Sequence, residues 1–164
     1  MQALVVYESF FGNTERVANA VGAGIGEAVV GEPGAVAVRK VSEVSPADLA
    51  GLQLLVVGAP TRAFRPSPGV AQWLRGLSVG ALSGVAVAAF DTRISPQDAN
   101  SAVLRFMVRL FGWAAEKIAK GLTARGGHEA APAMGFFVAA SEGPLKEGEL
   151  DRAAAWARQV VAGA

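Results

Sequence analysis

No cysteine occurs among the 164 residues. That excludes disulfides, a thiolate nucleophile and any cysteine-based metal site. The single histidine, His128, excludes a cluster of histidine ligands. Long hydrophobic runs are missing too. Hydrophobic residues make up 52% of the chain and mean hydropathy is +0.36, but they are mostly alanine and valine in short stretches. None approaches the roughly 20 residues that a membrane span needs. No basic segment precedes the first apolar stretch, so a secretory signal is not expected and a cytoplasmic location is. Repeats, low-complexity linkers and composition breaks are also absent, so residues 1–164 read as one domain, long enough to bury a real core.

What charge there is lies unevenly. The chain totals +1, but Arg62 to Arg125 carries nine basic and three acidic residues, a net +6, against −5 for the remainder. Almost no exposed-looking aromatic interleaving and no nucleic-acid motif accompany these cations, so nucleic acid is not an expected partner. The basic region reads as attraction for an anionic small molecule or an acidic partner, the alternative being solvated helix faces.

The most informative stretch is the first one. Ala3–Tyr7 is a continuous apolar run, as in a strand buried on both faces. It stops at Glu8, and helical spacing resumes through Val17, Ala18, Val21 and Ile25. Between them lies Ser9-Phe10-Phe11-Gly12-Asn13-Thr14. Amides at a helix start lack intrahelical partners and sit at the positive end of the helix dipole, so they attract anions. Ser9, Asn13 and Thr14 add side-chain donors, and Gly12 permits a positive φ or close approach. The loop reads as a phosphate cradle without lysine or arginine. The alternative is an ordinary N-cap, with Asn13 or Thr14 satisfying the backbone.

Further on, strand-like and helix-like segments alternate. The first helix is expected over Thr14 to about Val30, broken by Gly31-Glu32-Pro33-Gly34. Ala35–Val41 reads as a less buried edge strand, and Ser45–Leu49 as a capped short turn. Leu52–Gly58 and Gly84–Asp91 read as buried strands, with a helix from Ser67 or Pro68 to about Leu77 between them. Ser101 to about Arg125 reads as a long helix interrupted or bent near Gly112 and ended by Gly126-Gly127. A fifth strand within Ala133–Ala140 and a closing helix over Gly148–Ala162 complete the pattern. Five strands alternating with helices predict an α/β fold, a parallel sheet covered on both faces. Ligands in such folds lie outside the carboxyl ends of strands where strand order reverses. That selects three loops: Ser9–Thr14, Ala59–Arg65 and Asp91–Ser95.

With these residues in view, the chain resembles flavodoxin-like proteins over its whole length. Their phosphate loop follows Thr/Ser-x-Thr/Ser-Gly-x-Thr; here Ser9, Gly12, Asn13 and Thr14 match, and Phe11 replaces a hydroxyl. The stretch GAPTRAF resembles the Pro-Thr-Arg-Phe segment of flavodoxin-like quinone reductases, and FDTR resembles the family's last ring-binding loop. The resemblance implies a single doubly wound, five-stranded parallel sheet of order 2-1-3-4-5 and FMN as cofactor. Its phosphate would sit on Ser9, Phe10, Phe11, Gly12, Asn13 and Thr14. Its ring would lie along Pro60, Thr61, Arg62, Ala63 and Phe64, and along Asp91, Thr92 and Arg93. Phe64 is the nearest candidate for stacking on the ring, or else a packing residue. The closing GFFVAASEGPLKEGELDRA is similar to the tails of small flavodoxin-domain proteins.

The implied function is electron transfer to a redox partner protein, or two-electron reduction of a small-molecule acceptor such as a quinone. NAD(P)H is a candidate donor, and the chain would be a monomer or a homodimer. A pI near 8.2 and the lack of glycine between Ala59 and Pro68 depart from dedicated one-electron shuttles. Arg62 and Arg93, if they face the ring, would favour an anionic reduced flavin or an anionic substrate. Two readings compete. One is a flavodoxin-like binding module that has lost tight FMN binding, suggested by Phe11 and by Asp91, Thr92 and Arg93 standing where such proteins often place a stacking aromatic. The other, a phosphate-accepting receiver domain, is disfavoured because no acidic pair follows the first strand. Of the remaining features, His128 reads as completing a helix end, and Glu147, Glu149 and Asp151 as first-turn charges on the last helix. Val103–Trp113 is unusually apolar: either it packs on the sheet, or it forms a dimer surface or a lid.

Overall fold

A computed structural model describes residues 1–29, 35–95 and 102–164, and of residues 104 and 108–111 the backbone alone. In chain order the elements are β1 (Ala3–Tyr7), α1 (Asn13–Ala28), β2 (Val36–Lys40), β3 (Leu54–Pro60), α2 (Pro68–Gly76) and β4 (Ala86–Ile94). There follow α3 (Ala102–Phe111), α4 (Ala114–Thr123), β5 (His128–Glu129), β6 (Met134–Val138) and α5 (Glu149–Ala162). The expected break at Gly31-Glu32-Pro33-Gly34 and the expected helix start at Ser101 lie outside the described residues.

The sheet is parallel throughout, in the order β2-β1-β3-β4-β5, with β6 also on β4. The order is the one expected; the strand count is six rather than five. Ala86 pairs with His128 but Phe90 pairs with Met134, so the last strand carries two extra residues and splits into β5 and β6. His128 accordingly starts a strand instead of finishing a helix. Every residue of β1 is buried, which is why its sequence is apolar without alternation. At the other extreme β2 is an edge strand whose Arg39 and Lys40 are exposed. After it, the capped turn at Pro46–Leu49 forms as predicted, with the Ser45 amide and hydroxyl donating to the Asp48 carboxylate at 2.8 and 2.7 Å. Those two bonds hold the Asp48 carboxyl below its ordinary range.

Alternate strand residues feed two cores. Val5, Val56, Ala88 and Phe136 pack with α1 and α5; Val6, Val57, Val87 and Leu55 pack with α2 and α4. Phe90, Phe136 and Trp156 meet edge to face with centroids 5.9 to 6.2 Å apart, each pair worth about 0.5–1.5 kcal/mol beyond burial. Gly58 is what admits Phe90: a Cβ there would lie 2.0 Å from the ring's Cζ. The long helix expected up to Arg125 is interrupted near Gly112, one of the two forms expected, and so forms two helices. Gly112, at φ +64°, separates α3 from α4, and Trp113 enters α4 in an extended conformation. α4 covers the sheet, but on α3 Val103 and Phe106 are 71% and 63% exposed, so these two side chains do not pack there.

Candidate functional site

Parallel register places the site. Tyr7 lies beside Gly58 and Gly58 beside Phe90, so β1, β3 and β4 deliver their following residues to one edge. There the first two loops and the end of β4 enclose a cleft of about 260 Å³. Ser9, Phe10, Phe11, Asn13, Thr14, Pro60, Thr61, Arg62, Ala63, Thr92 and Arg93 all line it. Gly12, Phe64 and Asp91, also read from sequence, do not. Ile94, Val138 and Ser141 complete the lining; the last two come from the far end of the chain, and nothing local to them signals it. Thr92, Arg93 and Ile94 are not loop residues as expected. β4 continues through them because Thr92 pairs with both Pro60 and Phe136, and Ile94 with Val138.

The first loop ends in Gly12, the N-cap of α1, at φ +84°, a conformation that glycine adopts without strain. Its amide donates to Ser9 Oγ at 3.1 Å. No side chain caps the helix. Asn13 donates its side-chain amide to the Glu142 carbonyl at 3.0 Å, which ties the loop to the β6–α5 connection. The Thr14 hydroxyl, buried, lies 2.8 Å from that of Thr92. So neither residue acts as the N-cap that the alternative reading required. The backbone amides of Asn13, Thr14 and Glu15 have no acceptor among the described residues. Unclaimed first-turn amides beside a cleft are what a phosphate needs. Among the described lining residues the cations are Arg62, from the loop after β3, and Arg93, near the end of β4; the first loop supplies none.

The second loop is a tight, strained turn. Arg62 and Arg65 exchange backbone hydrogen bonds of 3.0 and 2.9 Å across Ala63 and Phe64, at φ 46° and 63°. Two successive left-handed residues are the type I′ arrangement usually filled by Asn-Gly, and each non-glycine costs about 1–2 kcal/mol. Lys117 of α4 donates to the Phe64 carbonyl and so fixes the turn from below. Arg62 extends across the mouth of the cleft, its guanidinium carbon 4.7 Å from the centre of the Phe10 ring.

Asp91 does not line the cleft, though its partners Thr61 and Arg93 do. It is fully buried and holds Arg93 through both oxygens, at 2.5 and 2.8 Å. It also accepts the Thr61 hydroxyl at 3.0 Å and the Ala115 amide at 2.9 Å, at the start of α4. Burial pushes its carboxyl up, against the pull of the Arg93 charge and these hydrogen bonds. Arg93 is therefore a paired, 12%-exposed cation whose other contact is the Trp113 face, 4.3 Å from the ring centre. Its charge is largely cancelled at the cleft, and of the two arginines expected near the ring only Arg62 is exposed. A second cavity, about 170 Å³, shares Thr61, Ala63, Arg93 and Ile94 with the first and is closed by Phe64 and Trp113, whose rings are 6.4 Å apart. Trp113 is the aromatic that the sequence did not assign to the site, since it arrives from the α3–α4 junction and not from a strand-end loop.

No family model matches the chain, and no curated protein matches it by sequence. Solved structures do match it. Oxidised flavodoxin 2 from Bacillus cereus superposes with a TM-score of 0.75 at 18% identity, covering 99% of each chain. A flavodoxin from the domain Archaea gives 0.73 at 19% identity, over 99% of this chain and 97% of the other. Rubredoxin oxygen:oxidoreductase from Desulfovibrio gigas gives 0.71 at 15% identity, over 98% of this chain and 35% of that longer one. The fold is flavodoxin-like.

Proposed function

We propose that the chain binds FMN in the cleft and works as an electron-transfer protein. The observation that supports it most is the set of unclaimed amides at Asn13, Thr14 and Glu15, opening on a cleft shared with the loop after β3 and the end of β4. The residues suit the group. The first-turn amides, Ser9 and the Thr14–Thr92 hydroxyl pair would hold the doubly charged phosphate, Phe11 contributing only its amide. Pro60, Ala63 and Ile94 would hold the flavin against the strained turn, whose rigidity orients it. When bound, FMN supplies the electron chemistry; the protein binds, orients and shields it. Asp91 keeps Arg93 neutralised beside the ring position, which leaves Arg62 as the cation able to act on charge there. The matching flavodoxins agree with this reading.

The second cavity favours one refinement, reduction of a small planar acceptor such as a quinone. Its Phe64 and Trp113 rings offer stacking surface that adjoins the flavin cleft. The deciding experiment is an FMN titration of the purified chain beside its absorption spectrum as isolated. Quenched flavin fluorescence with a Kd below about 10 μM is expected; no binding at tens of micromolar defeats the proposal. Stopped-flow oxidation of NAD(P)H with and without a quinone then separates an enzyme from a carrier.

A further inference from the structure

Arg93 keeps hydrogen-bond donors in reserve where most polar groups have spent theirs. A guanidinium carries five N–H groups. Nε and one N–H of Nη2 go to the Asp91 oxygens, at 2.5 and 2.8 Å. The other three have no acceptor among the described residues, although the side chain is only 12% exposed. Groups so nearly buried are as a rule hydrogen-bonded, so open donors there mark a place for an acceptor. The side chain is also fixed. Asp91 holds one edge, and the Trp113 ring centre lies 4.3 Å from the guanidinium carbon. Gly135 leaves room for it, since a Cβ there would lie 2.4 Å from Arg93 Cζ. Held in this way, Arg93 meets a ligand with little rotamer freedom left to lose.

Arg93 lines both the flavin cleft and the second cavity. The second cavity, about 170 Å³, is smaller than the roughly 300 Å³ at which pockets for drug-sized ligands begin, so it suits one ring or two fused rings. Ala63, Phe64, Ile94 and Trp113 give it apolar walls. Its described lining has no carboxylate, amide or imidazole side chain, and the Thr61 hydroxyl already donates its proton to Asp91 at 3.0 Å. The cavity therefore offers donors, and its ligand must accept. Asp91 counters the charge of Arg93 at contact distance, so an anion gains little there over a neutral oxygen. We propose that the second cavity holds an uncharged planar ring bearing carbonyl oxygens, laid against Phe64 and Trp113 and hydrogen-bonded by Arg93. Arg93 sets the preference for such a ring over a bare hydrocarbon, and its pairing with Asp91 removes any preference for an anionic one. The site rests on the flavin reading for the electrons that would reduce its ligand; the cavity and its donors exist without FMN.

Three probes of similar shape test this. Naphthoquinone carries the carbonyls, naphthalene lacks them and naphthoquinone sulfonate adds a negative charge; the chain has no cysteine for a quinone to alkylate. Equilibrium dialysis against the chain, with and without saturating FMN, gives the affinities. Naphthoquinone should bind about tenfold more tightly than naphthalene, the worth of one hydrogen bond from a charged donor, and at least as tightly as the sulfonate. Arg93→Lys keeps a cation for Asp91 but loses the planar donor fork, and should bring naphthoquinone to within about threefold of naphthalene. Phe64→Ala should weaken naphthoquinone and naphthalene alike. Naphthoquinone no tighter than naphthalene, preference for the sulfonate, displacement of naphthoquinone by FMN, or an undiminished carbonyl preference in Arg93→Lys would each overturn the proposal. Where Arg93→Lys does not fold, the ranking of the three probes by the unaltered chain decides. Naphthoquinone binding by a chain that takes no FMN supports the cavity and defeats the flavin reading; FMN uptake without naphthoquinone binding does the reverse.

Discussion

Thr14→Ala probes the phosphate site most directly. In the structure the Thr14 and Thr92 hydroxyls are 2.8 Å apart and both are buried. One bond between two hydroxyls uses one of their two protons, so the pair keeps one for an anion in the cleft. A hydrogen bond to a charged group is worth about 1.5–3 kcal/mol, and a pair that re-forms in part gives the lower end. The loss of FMN affinity should therefore be about 1–2 kcal/mol, roughly 5- to 30-fold in Kd. The assay is fluorescence titration with FMN and, in parallel, with riboflavin, which lacks the phosphate. Riboflavin affinity should be unchanged, and Thr14→Ser should restore FMN binding. Loss of the buried bond also lowers stability by about 1 kcal/mol, a drop of roughly 2–4 °C in Tm. Unchanged FMN affinity, or an equal loss for riboflavin, would refute the placement of the phosphate.

Three further outcomes follow from the packing and the charges. Gly58→Ala drives a methyl to 2.0 Å from Phe90 and should cost about 1–3 kcal/mol or more in urea unfolding; a neutral result would mean that β3 and the Phe90 ring separate freely. Asp91→Asn leaves Arg93 without its counter-charge beside Trp113 and should destabilise by about 3 kcal/mol, read by the same assay. Tyr7 is the sole tyrosine, so ultraviolet titration reads it alone. Burial and the Glu15 carboxylate push its phenol from 10.0 up to about 12. A raised folded-state value favours the neutral form. The stability this adds is complete below about pH 10 and is lost as pH rises from there through 12. Tyr7→Phe should abolish that part of the alkaline loss, and a tyrosinate midpoint near pH 10 in the folded chain would contradict it.

The order of elements was legible because it rests on short-range physics. A buried parallel strand needs an unbroken apolar run, as in Ala3–Tyr7, and a helix needs its 3.6-residue stripe, as in Val17, Ala18, Val21 and Ile25. The candidate phosphate loop was legible for the same reason, since residues 9–14 are contiguous and the helix start that leaves amides open is a local event. Where a helix has no cap, however, local pattern fails. Residues 9–14 alone leave open whether Thr14 caps the helix or serves the cradle; its hydroxyl faces Thr92, 78 positions away, which no local pattern shows.

The sequence by itself thus determined a parallel α/β chain, its strand-end loops and the contiguous loop suited to an anion. Only the tertiary structure decided which charges remain available there. Asp91 and Arg93 read as two loop residues facing a ligand; sheet pairing with β6 and the arrival of the α4 N-terminus turned them into a buried pair. The same packing brought Trp113 to the second cavity. Local backbone preference sets where strands and helices begin, whereas the partner of a side chain depends on which distant segments the closed sheet carries into contact.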